Sequence, residues 1–247
     1  MSRPLLAACL SLALSAPLPA LSDSLGLSWA DVYVGLNSDH QKSLALSGDW
    51  KISDAHGLQF GLGYADRPPG ALLTVDAHLY LAPAPGRKYG FFLGVADLDG
   101  EEFTVVQGGV AGMLALSDRT VVQGRAGLGL SDSDLDYLTV SASLSHDLSD
   151  RLQVYGSAML AEFDETAFRA IAHELALGLR YRIGNGASLS LAVVTDGLSG
   201  RDGAPSDTRI ELGLRWTFGG SGSDDPVADR AFDTLQPVDV LIRRGLF

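Results

Sequence analysis

The chain has 247 residues and a formal net charge of −12, with a pI near 4.6, which argues against a nucleic-acid partner because phosphate backbones attract basic surfaces. Charged residues make up only 19%, glycine numbers 29 and mean hydropathy is +0.15, which suits a protein with one face in lipid or a glycine-rich soluble β-protein. The single cysteine, Cys9, lies in the leader and leaves the rest of the chain without disulfide or thiol chemistry.

Residues 1–22 read as a signal peptide. Arg3 supplies a positive n-region, and Leu5 to Ala16 form an apolar h-region too short for a membrane helix. Cleavage is expected after Ala20 or Ser22, which sends the chain out of the cytoplasm. Leu6-Ala7-Ala8-Cys9 is close to a lipidation box, but only four apolar residues precede Cys9, so it is read as an ordinary leader residue. No later stretch approaches 18 apolar residues, so no helix is expected to span a bilayer.

From residue 29 onward the dominant period is two, the period of a strand whose side chains alternate between faces. Leu44, Leu46, Trp50 and Ile52 oppose Ser43, Ala45, Ser47, Asp49 and Lys51. Leu73, Val75, Ala77, Leu79 and Leu81 oppose Thr74, Asp76, His78 and Tyr80. The pattern returns at Leu138–Ser145, at Glu174–Ile183 and most cleanly at Arg209–Phe218. One face is apolar. The other is rich in small residues such as Gly61, Gly63, Gly90, Gly94, Gly127 and Gly129, which suit a crowded interior better than a solvated sheet face.

Turn residues punctuate the pattern. Ser53-Asp54, Pro85-Gly86, Ser117-Asp118 and Ser149-Asp150 recur every 32 residues, with Asn185-Gly186 slightly late, so each unit is one hairpin. Strands are predicted near 29–36, 42–53, 57–65, 70–82, 87–97, 103–116, 119–131, 135–148, 151–163, 168–183, 187–197 and 207–218. Twelve is even, which closes an antiparallel up-and-down barrel with both ends on one side. The intervening turns carry fifteen of the thirty acids, among them Asp97, Asp99, Glu101, Glu102, Asp132, Asp134 and Asp136, and are assigned to the outside of the cell. Trp50, Tyr89, Tyr181, Trp216 and Phe218 fall near inner strand ends, and Tyr64, Phe103, Phe163 and Phe168 near outer ends, predicting two aromatic girdles. The expected fold is therefore all-β: a transmembrane barrel over residues 23–218, preferred to a soluble sandwich.

Glu211-Leu-Gly213-Leu-Arg-Trp216-Thr-Phe218 resembles the terminal β-signal of the outer-membrane barrels of Gram-negative bacteria. The resemblance implies recognition by the barrel-assembly machinery through Gly213, Trp216 and Phe218, and residence among outer-membrane lipid and lipopolysaccharide. That family usually ends at the aromatic residue, whereas 29 residues follow here. They begin Gly-Gly-Ser-Gly-Ser-Asp-Asp-Pro, a flexible linker by composition. Residues 219–247 are expected to form a periplasmic tail, with a lumen plug or a segment binding a periplasmic partner as the other readings.

Catalytic chemistry finds little support. None of His40, His56, His78, His146 and His173 has a serine two positions on, the pairing that outer-membrane phospholipases share. His40 beside Asp39 is the only rim candidate of the kind omptin proteases use, and His78 with Asp76 is read as a hydrogen-bonded lumen pair. Zinc, Walker and nucleophile-elbow motifs are absent, so no cofactor or metal is expected, and the acidic loops are read as solvated charge. What remains is the lumen wall: Arg125, Arg180, Arg182, Arg209 and Arg215 on strands seven, ten and twelve, with Asp49, Asp76, Glu174 and Glu211. Charges lining a pore set selectivity through field and hydration. The function expected is a porin-like channel for passive diffusion of small polar solutes or ions; the alternative is a non-conducting structural or interaction barrel whose tail plugs the lumen or binds a periplasmic partner.

Overall fold

In a computed structural model the protein is described over residues 26–184, 186–220 and 224–247; the expected signal peptide and its cleavage site lie outside these residues. Twelve strands follow one another: β1 (Gly26–Asn37), β2 (Lys42–Lys51), β3 (His56–Asp66), β4 (Ala71–Ala84), β5 (Arg87–Leu98), β6 (Thr104–Ser117), β7 (Thr120–Ser131), β8 (Tyr137–Asp147), β9 (Leu152–Asp164), β10 (Arg169–Gly184), β11 (Ala187–Ser199) and β12 (Ala204–Gly219). Each pairs antiparallel with the next, and β1 pairs with β12 from Trp29↔Gly219 to Asn37↔Glu211, which closes the sheet. No helix among the described residues is long and apolar enough to cross a membrane. Closure removes every free edge, the condition for a sheet to sit in lipid.

Both barrel ends, Gly26 and Gly219, lie at one rim, called here the near end. The tight turn at Pro85-Gly86 lies there and places Gly86 at φ +78°, a conformation glycine adopts without a Cβ clash. The far-end loops are short as well, with only four or five residues between strands, so nothing folds over that mouth from outside.

The alternation sorts as expected. Phe91, Leu93, Leu138 and Leu177 point outward at 60–70% exposure, and a continuous apolar surface of this kind belongs in lipid rather than water. Inward, tyrosines lie across glycines of the neighbouring strand. A Cβ on Gly129 would stand 2.2 Å from the Tyr137 ring, and one on Gly57 2.3 Å from Tyr80, each pair being directly opposite in register. The small-residue face is thus the space its own aromatics fill.

Two expectations are corrected. Trp50, Tyr89, Tyr181 and Trp216 do form an exposed aromatic belt near the near end. Phe103 and Phe163 do not form its far-end counterpart: they are 1% and 0% exposed and face inward. They belong to an apolar cluster with Leu72, Leu98, Val105, Tyr137 and Met159 that fills the far half of the lumen, Phe168 packing against it. The second correction explains the first. The described tail, residues 224–247, does not lie in the periplasm; it threads the barrel from the near end to the far mouth. Val227 is wholly buried against the near half, Phe232 lies at mid-height, and Val238, Val240, Leu241 and Ile242 sink into the far cluster. A four-residue helix, α1 (Asp239–Ile242), lies at that mouth, and Phe247 packs 5.7 Å from Phe103. Burying side chains of this size is worth roughly 1.5–3 kcal/mol each, which is what draws an apolar segment out of water and onto an apolar wall.

Candidate functional site

Strand parity places all nine predicted lumen residues inside the barrel, and the structure sorts them into groups. On the β10–β12 side, Arg209 is the hub. It pairs with Asp196, with Glu174 at 2.9 Å and with Glu211 at 2.7 Å. Asp196 also meets Arg244 of the tail at 2.5 Å. Nearer the strand termini, Arg215 pairs with Asp31 at 2.6 Å and Arg182 with Asp147 at 2.8 Å. Arg180 donates to Gln153 Oε1 at 2.9 Å and stands 5.2 Å from the Tyr155 ring centroid. Asp49 accepts from the Tyr80 hydroxyl at 2.8 Å and from Ser28.

Asp76, His78 and Arg125 form a third group at mid-height on β4 and β7. The expected hydrogen-bonded pair is not made: the Asp76 carboxylate stands 3.7 Å from His78 Nδ1, beyond hydrogen-bond reach. Arg125 lies 3.6 Å over the Phe92 ring and donates to the carbonyl of Asp233 at 3.1 Å. His78 stacks on Phe232 of the tail at 5.0 Å, its ring 5° from parallel. Asp76 Oδ2, both His78 ring nitrogens, Gln123 Nε2 and Arg125 Nη2 are buried without a hydrogen-bond partner. A buried polar atom left so costs roughly 1–3 kcal/mol, so this belt is poorly matched to the segment that covers it.

Several residues that hold the tail escaped the sequence reading. Lys88 on β5 donates to the carbonyls of Ala228 and Arg230 at 2.7 and 3.3 Å. Gln59 on β3 brackets Phe232, accepting from its N–H at 2.8 Å and donating to its carbonyl at 3.3 Å. At the far mouth Arg67, from the β3–β4 loop, pairs with Asp239 of α1, and Arg243 donates to Gln41 at 2.5 Å. Burial alone would raise the Asp239 carboxyl, but the Arg67 and Arg243 guanidiniums hold it below its usual range.

The tail does not fill the lumen evenly. Between residues 225–235 and the inner faces of β8–β12 a cavity of about 850 Å³ remains. Arg180, Arg182, Arg215, Gln153 and Ser188 line it from the wall, with Arg230 and Asp233 on the tail side. In the far half the apolar cluster joins wall to tail instead. Asp39 and His40 sit on the β1–β2 loop, His40 at φ +62°. No group of three or more His, Cys, Asp or Glu residues able to hold a metal ion occurs among the described residues.

A closed twelve-stranded antiparallel up-and-down barrel with an apolar outside and a charged inside is the architecture of an outer-membrane-type β-barrel. Among solved structures it is similar to the KdgM porin in complex with disordered oligogalacturonate, at 12% identity and a TM-score of 0.55 over 77% of this chain and 99% of that one. It is similar also to the NanC porin, at 9% identity and a TM-score of 0.59 over 76% and 98%. At such identities the likeness is one of fold. No protein-family model matches the chain, and no curated protein does.

Proposed function

We propose that the protein is an outer-membrane channel of porin type that passes small polar solutes or ions by diffusion, with binding at the lumen wall and no chemical step. The observation that carries this reading is the cavity beside the tail, lined by Arg180, Arg182 and Arg215 and continuous with the charged near half of the lumen. Side chains in such a position act on permeating solutes through field and hydration. The similarity to KdgM and NanC, both porins by name, supports it. In this reading the near end faces the periplasm, its aromatic belt sits at the inner membrane–water boundary, and the Gly213, Trp216 and Phe218 positions on β12 serve recognition by the assembly machinery.

The second reading, a non-conducting barrel plugged by its own tail, is favoured by one observation: the apolar far half is closed around Val238, Leu241 and Ile242. A periplasmic partner for the tail has less support, since residues 225–247 are engaged inside. Planar-bilayer recording of the full chain and of a chain ending at Gly220 separates the readings. Conductance from the shortened chain supports a channel, and the double change Arg180→Glu, Arg182→Glu should then shift its ion selectivity. Silence from both correctly folded chains would retire the channel.

A further inference from the structure

The far half of the lumen poses a problem for any channel reading. A polar solute cannot cross a packed cluster of Phe103, Phe163, Leu98, Val105, Leu241 and Ile242 without losing its hydration. Of those wall residues, Leu98, Val105 and Phe163 stand on ladder strands, and Phe103, in the five-residue β5–β6 loop, is tied to Leu98 through its carbonyl. The tail pairs with no strand. Conduction therefore requires the tail to leave the far half.

What the departing tail would uncover is the mid-height belt. Asp76 lacks any Lys or Arg partner within 4 Å, and Arg125 lacks any Asp or Glu partner there, while five polar atoms of Asp76, His78, Gln123 and Arg125 are buried without hydrogen bonds. Buried polar groups in folded proteins are nearly always satisfied. A wall carrying this many orphans beneath Phe232 is chemically matched to a wet, solute-bearing path. The tail is held at mid-height by Gln59 around Phe232 and by Arg125 and Ser143 at Asp233, and it is held at both ends as well. Near-end contacts are Gly86 N–H to Asp225 at 2.9 Å and Lys88 to Ala228; far-end contacts are Arg67–Asp239, Arg244–Asp196 and the apolar cluster.

We propose that residues 224–247 are a displaceable gate, and that Asp76, His78, Gln123 and Arg125 form the constriction which permeating solute meets once Phe232 is withdrawn. This rests on the channel reading above and adds its regulation and its selectivity residues. Acid and base face one another across the path from β4 and β7, so the two should act in opposite senses on passing ions.

The test uses the cysteine-free mature chain with Ser143→Cys and Asp233→Cys, positions whose native side chains meet at 2.5 Å, joined by a short bis-methanethiosulfonate linker. In planar bilayers the unlinked chain should open intermittently. Linking should lower open probability more than tenfold, and reduction should restore it. A second variant, Leu241→Asp, should raise open probability severalfold by placing a charge in the far cluster. In the chain ending at Gly220, checked for folding by heat-modifiable migration, Asp76→Asn should move the reversal potential toward anions and Arg125→Gln toward cations. If that shortened barrel does not fold, the same two substitutions are read in the Leu241→Asp chain. Openings as frequent with the linker as without it would overturn the gate while leaving the channel intact. An unmoved reversal potential in both substitutions would overturn the constriction. Silence of the shortened and the Leu241→Asp chains alike would instead remove the channel reading on which the gate depends.

Discussion

The two halves of the lumen are built on the same strands and by the same alternation, yet they hold the tail by different physics. In the near half, inward positions include Asp31, Asp49, Lys88, Asp147, Gln153 and Arg215, and tail and wall meet through hydrogen bonds from Lys88 and a small apolar cluster around Val227, beside a remaining cavity. In the far half the same inward register carries Leu72, Ala96, Leu98, Val105, Met159, Ala161 and Ala172, and the contact is mostly close packing, rimmed by the Arg67–Asp239 and Arg244–Asp196 pairs. Polar pairing tolerates water and rearrangement, because each lost bond is largely replaced by one to solvent. Apolar packing excludes water and holds until the whole segment leaves. The difference places the seal at the far mouth and the solute-accessible space at the near one.

The largest effect that could break this division is expected at Arg209, the one wall residue that neutralises three acids at once. Arg209→Met should destabilise the barrel by about 3–5 kcal/mol, because removing one partner strands the covered charge of Glu174 and leaves Asp196 to Arg244 alone; the shift is read as a lower denaturant midpoint of the folded band. A full-strength barrel in that variant would mean the far-side acids are already solvated. Next in size is Leu241→Ala, at about 2–5 kcal/mol for a fully buried leucine. That loss should fall on tail docking, so added protease should clip residues 224–247 faster while the barrel's own unfolding stays put. Equal losses in both would show that the far half does not stand on the tail alone.

Acid sharpens the comparison from another side. The Asp239 carboxyl is held below its usual range when the tail is docked. A depressed value in the docked state means docking is strengthened above the free carboxyl value near 4, and that strength is lost as pH falls through the docked value. Proteolysis of the tail should accelerate as pH is lowered from 5 toward 3 with an acid-stable protease. Asp239→Asn should dock more weakly throughout and flatten that dependence. A wild-type profile unchanged in Asp239→Asn would assign the acid response to some other group.

Most of this fold was legible in the sequence because a membrane barrel writes each strand twice, once in its lipid-facing hydrophobes and once in its inward small or charged residues. All twelve strands stand where alternation and turn chemistry placed them, the largest shifts being three residues, at the start of β1 (Gly26 rather than 29) and of β12 (Ala204 rather than 207). All nine charges assigned to the lumen lie inside it for the same reason. What failed is where parity loses its contrast. Phe103 and Phe163 read as girdle residues because the pattern inverts at the far strand ends: the inward face turns apolar while the exposed neighbours are Glu102, Glu162 and Asp164, so hydrophobicity points to the wrong face. Asp196 counts with the acids of the following turn in the sequence pattern, whereas β11 carries it inside the barrel and runs on to Ser199. Lys88 was hidden by Arg87 and the adjoining turn. The place of the tail was illegible for a different reason: its contacts join residues far apart in sequence, 129 positions at Gln107–Gln236, 173 at Gln59–Phe232 and 202 at Gln41–Arg243, and no local period encodes them.

The smallest expected effect is also the sharpest control on depth. Two of the arginine–aspartate pairs at the far end make the contrast: Arg67–Asp239, with side chains 8% and 15% exposed, and Arg169–Asp164, with side chains 61% and 53% exposed. Geometry on paper makes them alike. Water makes them different, since an exposed pair is screened by solvent and salt while a covered one is not. Arg67→Ala should release the tail to protease and raise channel open probability, because it leaves Asp239 covered and short of a partner. Arg169→Ala should change neither protease sensitivity nor the unfolding midpoint measurably at 0.15 M salt. If the exposed pair proved as important as the covered one, the far mouth would be held by loop contacts at the rim, and the apolar seal would lose its place as the element that closes the barrel.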